Sequence, residues 1–178
     1  MPDTRLRPRR PDTPQEPNPP ADDLLVTSPS FSHGGPLPAR CALHGGNCSP
    51  ALSWAEPPRG TVSLALTFED LHGTSEKPFT LWILYNIPAS RHGIPEGLSK
   101  RAFPSQVPGA EQGANDTGEV GYDGPAPPRG HPDHHYTFHV HALDIVLALP
   151  PGATRAEFDD AIAGHGIGSG ALSGTYHR

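Results

Sequence analysis

FTLWILYNIP, residues 79–88, is apolar or β-favouring at nearly every position. A nearly continuous run of this length, bounded by turn residues, fits a buried central strand. Upstream, VSLALTFED (62–70) alternates and then ends on two acids. Downstream, YTFHVHALDIVLAL (136–149) is long and rich in β-branched and aromatic residues. Gly- and Pro-bearing clusters (AEPPRG, LHGTSEKP, PASRHGIPEG and GPAPPRGHP) separate these runs. One helix is expected after them. Thr154 caps it, Glu157 completes a capping box, Phe158 and Ile162 lie one turn apart, and Gly164 stops it. A short strand, ALSGTY, closes the chain. Strands dominate, helical patterns do not alternate with them, and there is no internal repeat. The expected fold is mainly β: an antiparallel β-sandwich with a short C-terminal helix.

Composition agrees with that reading. The 178 residues suffice for one domain, and 24 Pro with 20 Gly mark a loop-rich β protein. Residues 1–22 hold seven prolines and no aromatic residue, so they cannot bury enough surface to offset the entropy of ordering. They read as a disordered Pro/Arg-rich tail, with the folded domain spanning 23–178. A net charge of −6 gives no broad cationic field, so a nucleic-acid partner is not expected. No apolar run is long enough to span a membrane, and the N-terminus lacks the apolar core of a secretion signal. The expected location is the cytoplasm. Cys41 and Cys48 are then free thiols, and neither belongs to a CxxC pair.

Two chemistries can be weighed from the residues alone. HGG occurs at His33–Gly35 and at His44–Gly46, the kind of loop that supplies oxyanion-hole amides in some esterases. Those sites need a G-x-S-x-G elbow, and GIGSG has its serine one place late. A metal is the second. His131, His134, His135, His139 and His141 crowd eleven residues. On an extended strand His135, His139 and His141 share one face, and His134 shares the other with Tyr136, Phe138 and Val140. His139 and His141 could chelate, but Asp144, the nearest third ligand in sequence, falls on the opposite face. Neither a metal nor another cofactor is expected.

SPALSWAEPPRGTVSLALTFED, LWILYNIPA, NDTGEVGYDGPAPPRG, HHYTFHVHALD and GHGIGSGALSGTY follow one another in this order. The set resembles the phosphatidylethanolamine-binding protein family, in its bacterial and archaeal Raf-kinase-inhibitor-like branch of YbhB/YbcL type. The likeness runs from about Leu24 to the C-terminus. It implies two antiparallel sheets with a small anion-binding pocket at one end, able to take a phosphate-like group or a phosphorylated head group. It also implies a non-enzymatic binder, a kinase or protease as protein partner, and a homodimer. Matched to the family's pattern, the pocket residues are Asp70, Trp82, Tyr122, the loop Gly124, Pro125, Ala126, Pro127 and Pro128, and then His134 and Tyr136. Two departures stand out. Leu71-His72-Gly73-Thr74 replaces the family's Pro-Asp-Ala-Pro, and Leu81 stands where the family has a pocket histidine.

Physical roles follow for these residues. The prolines stiffen the loop and limit the entropy lost on binding. Gly124 allows close backbone approach, so that amides near it could face an anion. His134 supplies a ring N–H, Tyr136 a hydroxyl or a ring wall, and Asp70 orients His134. Leu81 makes one wall apolar, His72 could substitute as a donor from the neighbouring loop, and His131 and His135 are surface residues. Two alternatives to simple binding remain at this point. One is a hydrolase using a His134–Asp70 dyad. The other is a protein-interaction module with a degenerate pocket.

Overall fold

The computed structural model describes residues 24–72 and 77–178; the tail assigned to residues 1–22 lies outside them. Two antiparallel sheets form. The small one is β1 (Val26–Thr27), β2 (Leu52–Trp54) and β5 (Gly93–Ile94), in the order β1-β2-β5. The large one is β3 (Ser63–Asp70), β4 (Phe79–Pro88), β6 (Glu111–Gln112), β7 (His134–Leu143) and β8 (Gly166–Tyr176), in the order β6-β4-β3-β7-β8. The helix α1 (Arg155–Ile162) follows β7 in sequence, with the capping box between Thr154 and Glu157 formed in both directions.

FTLWILYNIP is buried because both of its faces are covered. Trp82 and Leu84 join Leu66, Phe68, Tyr136, Phe138 and Val140 in the core between the sheets, against Val26, Leu52, Trp54 and Ile94 of the small sheet. Ile83 and Tyr85 face the other way, onto Leu147 and Phe158 of α1. The large sheet is therefore the middle layer of three.

Two bulges in β4 set these directions. Leu64 pairs with Ile87 and Leu66 with Leu84, so Tyr85 and Asn86 together oppose Ala65. Asn86 takes the left-handed conformation there, at φ 56°. Phe68 pairs with Trp82 but Glu69 with Thr80, which leaves Leu81 as an extra residue. A bulge re-aims side chains, and Leu81 joins Trp82 in the inter-sheet core instead of alternating away from it.

Two elements differ in length from their sequence patterns. YTFHVHALDIVLAL leaves the sheet after Leu143. Both backbone groups of Leu147 instead bond the Asn86 side chain, at 2.8 and 3.0 Å, and Leu147 packs on the outer core. The last strand starts at Gly166, earlier than ALSGTY. Its glycines let another segment lie on it, since a Cβ at Gly170 would meet the Leu24 carbonyl oxygen at 1.6 Å.

Candidate functional site

β3 ends and β7 begins at the same end of the large sheet, with Asp70 opposite Tyr136 in register. Asp70, His134 and Tyr136 share the face of Phe68 and Phe138, so they sit where the inter-sheet core opens. The Asp70 Oδ2 lies 2.9 Å from His134 Nδ1, and both side chains are mostly covered, at 14% and 13% exposure. Asp70 Oδ1 accepts the backbone N–H of His72 at 2.8 Å. The His134 ring lies over that of Tyr136, with centroids 6.3 Å apart and planes at 25°.

Tyr136 is fully buried, and its hydroxyl makes no hydrogen bond of normal geometry among the described residues. Burial first, then the negative charge of Asp70 and a weak hydrogen-bonding approach to that carboxylate, push its pKa well above the ordinary phenol value. The group stays protonated and able to donate. Tyr122 is its satisfied counterpart. It too is buried and raised by burial, but its hydroxyl donates to the Cys41 carbonyl at 2.9 Å.

Other residues matched to the pocket stand further back. Trp82 is fully buried and spends its indole N–H on Gln112 Oε1 at 2.7 Å. Tyr122 stacks on Phe68 and meets Trp82 edge-on. These two form the floor behind Tyr136, whose ring centroid is 5.9 Å from that of Phe68. Gly124 is required by a backbone crossing: a Cβ there would meet the Cys41 carbonyl oxygen at 1.9 Å. Its amide donates to Asn47 Oδ1 at 2.7 Å, so it is already engaged within the protein. Pro125 and Pro127 are buried, while Ala126 and Pro128 are exposed.

The loop is anchored by residues to which the sequence reading gave no role. Asn47, at φ 52°, bonds both the Gly124 amide and Asp123 Oδ1. Asp123 also receives Lys100 Nζ at 2.5 Å and Asn115 Nδ2 at 2.9 Å. Burial alone would raise this carboxyl; hydrogen bonds from Lys100, Asn47 and Asn115 outweigh it and bring its pKa below the usual value. Asn115 takes the Thr117 and Glu119 amides on its other end. Asn115 lies in NDTG, a stretch quoted for its resemblance, and Asn47 directly follows the His44–Gly46 turn.

The histidines divide between the two sides of the sheet. His72 lies with its ring 5.5 Å from that of His134, and His131 with its ring 6.0 Å from it. His139 and His141 lie on the outer face, 6.3 Å apart. His139 Nε2 is 3.9 Å from Glu69, and the His141 ring meets the Phe158 edge. Asp144 is off the strand and bonded to His165. Among the described residues no group of three His, Cys, Asp or Glu side chains is placed to hold a metal ion. Cys41 is buried, which raises its thiol to about 11, and Cys48 is unpaired with it.

The sequence model of the phosphatidylethanolamine-binding protein family matches residues 27–177. A UPF0098 protein of Methanothermobacter thermautotrophicus is 40% identical over 150 residues, which cover 84% of this chain and 95% of that protein. A Mycobacterium tuberculosis protein carrying a lipoprotein name, LppC, is 35% identical over 90% of this chain and 75% of its own length. Among solved structures, E. coli YbcL, described as a new member of the mammalian PEBP family, superposes with a TM-score of 0.81. It is 30% identical, with 88% of this chain and 99% of YbcL covered. No helix among the described residues is long and apolar enough to cross a membrane.

Proposed function

This chain belongs to the phosphatidylethanolamine-binding protein family, and from that premise we propose that it binds a small phosphate-type anion where Asp70, His134 and Tyr136 meet. One observation carries the reading: Asp70 orients the His134 imidazole over Tyr136, whose buried hydroxyl makes no hydrogen bond of normal geometry among the described residues and has the Asp70 carboxylate nearby. A buried donor without a well-formed bond costs about 1–3 kcal/mol. A ligand oxygen would satisfy it. His134 is held through Nδ1, which leaves Nε2 for the same ligand. Apolar Leu81, Phe68 and Tyr122 back the site, so the charge-assisted bonds form away from bulk water.

The role is binding, not turnover. A nucleophilic hydrolase would need a hydroxyl or thiol on His134, and among the described residues that ring bonds only Asp70. The test is the thermal midpoint of wild type and His134→Ala against phosphate, phosphoethanolamine, acetate and nucleotides. A ligand that binds the native state raises the midpoint by mass action. Phosphate-type ligands should stabilise wild type and leave His134→Ala unmoved. A preference for phosphoethanolamine over phosphate would point to a lipid head group; equal response would point to the free anion. If only Leu81→His responds, the pocket reading fails. Hydrolysis of p-nitrophenyl phosphate that disappears in His134→Ala would replace binding by catalysis.

A further inference from the structure

The Asp70 carboxylate holds one imidazole and the backbone of a second histidine. Its Oδ2 meets the His134 ring, and its Oδ1 takes the backbone amide of His72, which places the His72 ring 5.5 Å from that of His134. The neutral His72 ring is itself held in one tautomer. Its Nδ1 accepts the backbone N–H of His135 at 3.1 Å, so the proton of the neutral ring resides on Nε2. The His135 ring, 4.9 Å away, packs on its other side. His72 therefore presents one N–H of defined tautomer, on an exposed side chain whose ring lies 5.5 Å from that of His134, and no hydrogen bond among the described residues engages His134 Nε2.

We propose that His72 is a ligand-contacting residue of this site: its Nε2–H donates to the same phosphate-type anion that His134 and Tyr136 bind. The inference rests on the binding reading above and adds a third donor to it. A tetrahedral oxyanion offers several acceptor oxygens, and donors from three directions discriminate it from a planar carboxylate. The Leu81 side chain offers no donor. His131 is a weaker choice at 6.0 Å, because no hydrogen bond among the described residues fixes its ring; only its backbone amide is engaged, on the Pro128 carbonyl.

The test uses the full chain with inorganic phosphate and phosphoethanolamine as probes, read by titration calorimetry. His72→Ala should weaken binding about tenfold, the size of one lost charge-assisted donor. His72→Gln, whose amide nitrogen reaches the position of Nε2, should stay within about threefold of wild type. In wild type the ring ¹⁵N resonances of His72 should show Nε2 protonated, and that signal should shift on adding phosphate. Unchanged affinity in His72→Ala, with loss of binding in His134→Ala, would overturn the role of His72 and leave the site intact. Wild type that binds neither probe would overturn both.

Discussion

Glu69 and Asp70 are neighbours on β3, yet they point to opposite faces of the sheet and end in opposite conditions. Glu69 is 5% exposed and ion-paired to Arg155, whose guanidinium also donates to Thr80 Oγ1 and Asp159. His139 lies at the far side of the same carboxylate. That cluster is closed on itself. Asp70 is shared between His134 and the His72 amide, and the hydroxyl beside it is left with no partner among the described residues. A closed cluster holds the sheet to its helix; an open one has room for another molecule. Mutations on the outer face should therefore appear in stability, and those at the sheet end in affinity.

The largest effect belongs to the closed cluster. Arg155→Ala removes the partner of a buried carboxylate, which costs about 3–5 kcal/mol when the pair is fully enclosed. The Arg155 side chain is 32% exposed, so water would recover part of this, and we expect about 2–3 kcal/mol by urea denaturation. Phosphate affinity should stay within about twofold. A loss below about 1 kcal/mol would mean that water alone satisfies Glu69, and the contrast between the two faces would dissolve.

Next is the outer face under acid. Burial first, then the like charges of His139 and Arg155, bring the His141 pKa from 6.5 to about 4, against a small opposing pull from Asp159. Between these values the unfolded chain binds the proton and the folded one does not, so stability rises with pH across that window. On acidification it should be full above about pH 6.5, fall through the window, and level off near pH 4. The loss from this group is on the order of 1–3 kcal/mol. His141→Leu should flatten that part of the curve; an unchanged slope would assign it to other groups.

How much of this was legible in the sequence depends on what kind of signal each part leaves. The three long runs that became β3, β4 and β7, and the capped helix, leave periodicity and capping residues, and all four formed, although β3 and not FTLWILYNIP lies at the centre of the large sheet. Strands β1, β2, β5 and β6, of two or three residues, are too short to leave a pattern. The end of β7 at Leu143 depends on a side chain 61 residues away, since Asn86 takes over the backbone groups of Leu147. Local propensity carries no trace of that. At the sheet end, Asp70, His134 and Tyr136 come together. Trp82, Tyr122 and Gly124 instead make bonds inside the protein, because a motif preserves a position without saying whether its polar atoms are already taken. Leu81 reads as an ordinary strand residue; only the bulge explains why it faces the site's side of the sheet.

The contrast can be sharpened within one residue type. Tyr122→Phe deletes a hydroxyl that donates to the Cys41 carbonyl and leaves that oxygen in the core with one bond fewer. We expect a loss of about 1–1.5 kcal/mol, measured by urea denaturation. The binding of phosphate should weaken little, since this hydroxyl is committed to the backbone. A loss of affinity larger than the loss of stability would place Tyr122 in contact with the ligand.

Tyr136→Phe is the smallest change in stability and the most decisive. The ring and its packing on Phe68 and His134 remain, and only the orphan hydroxyl is lost. Removing a buried hydroxyl that makes no hydrogen bond of normal geometry among the described residues relieves its desolvation cost, so the ligand-free protein should be unchanged or more stable by up to about 1 kcal/mol. Affinity for phosphate should move the other way, falling about tenfold as the ligand loses a donor. Opposite signs in the two measurements are the mark of a group kept for binding at the expense of the fold. A drop in stability with unchanged affinity would show that the hydroxyl bonds within the folded protein, and the sheet end would then be a closed cluster like that of Glu69.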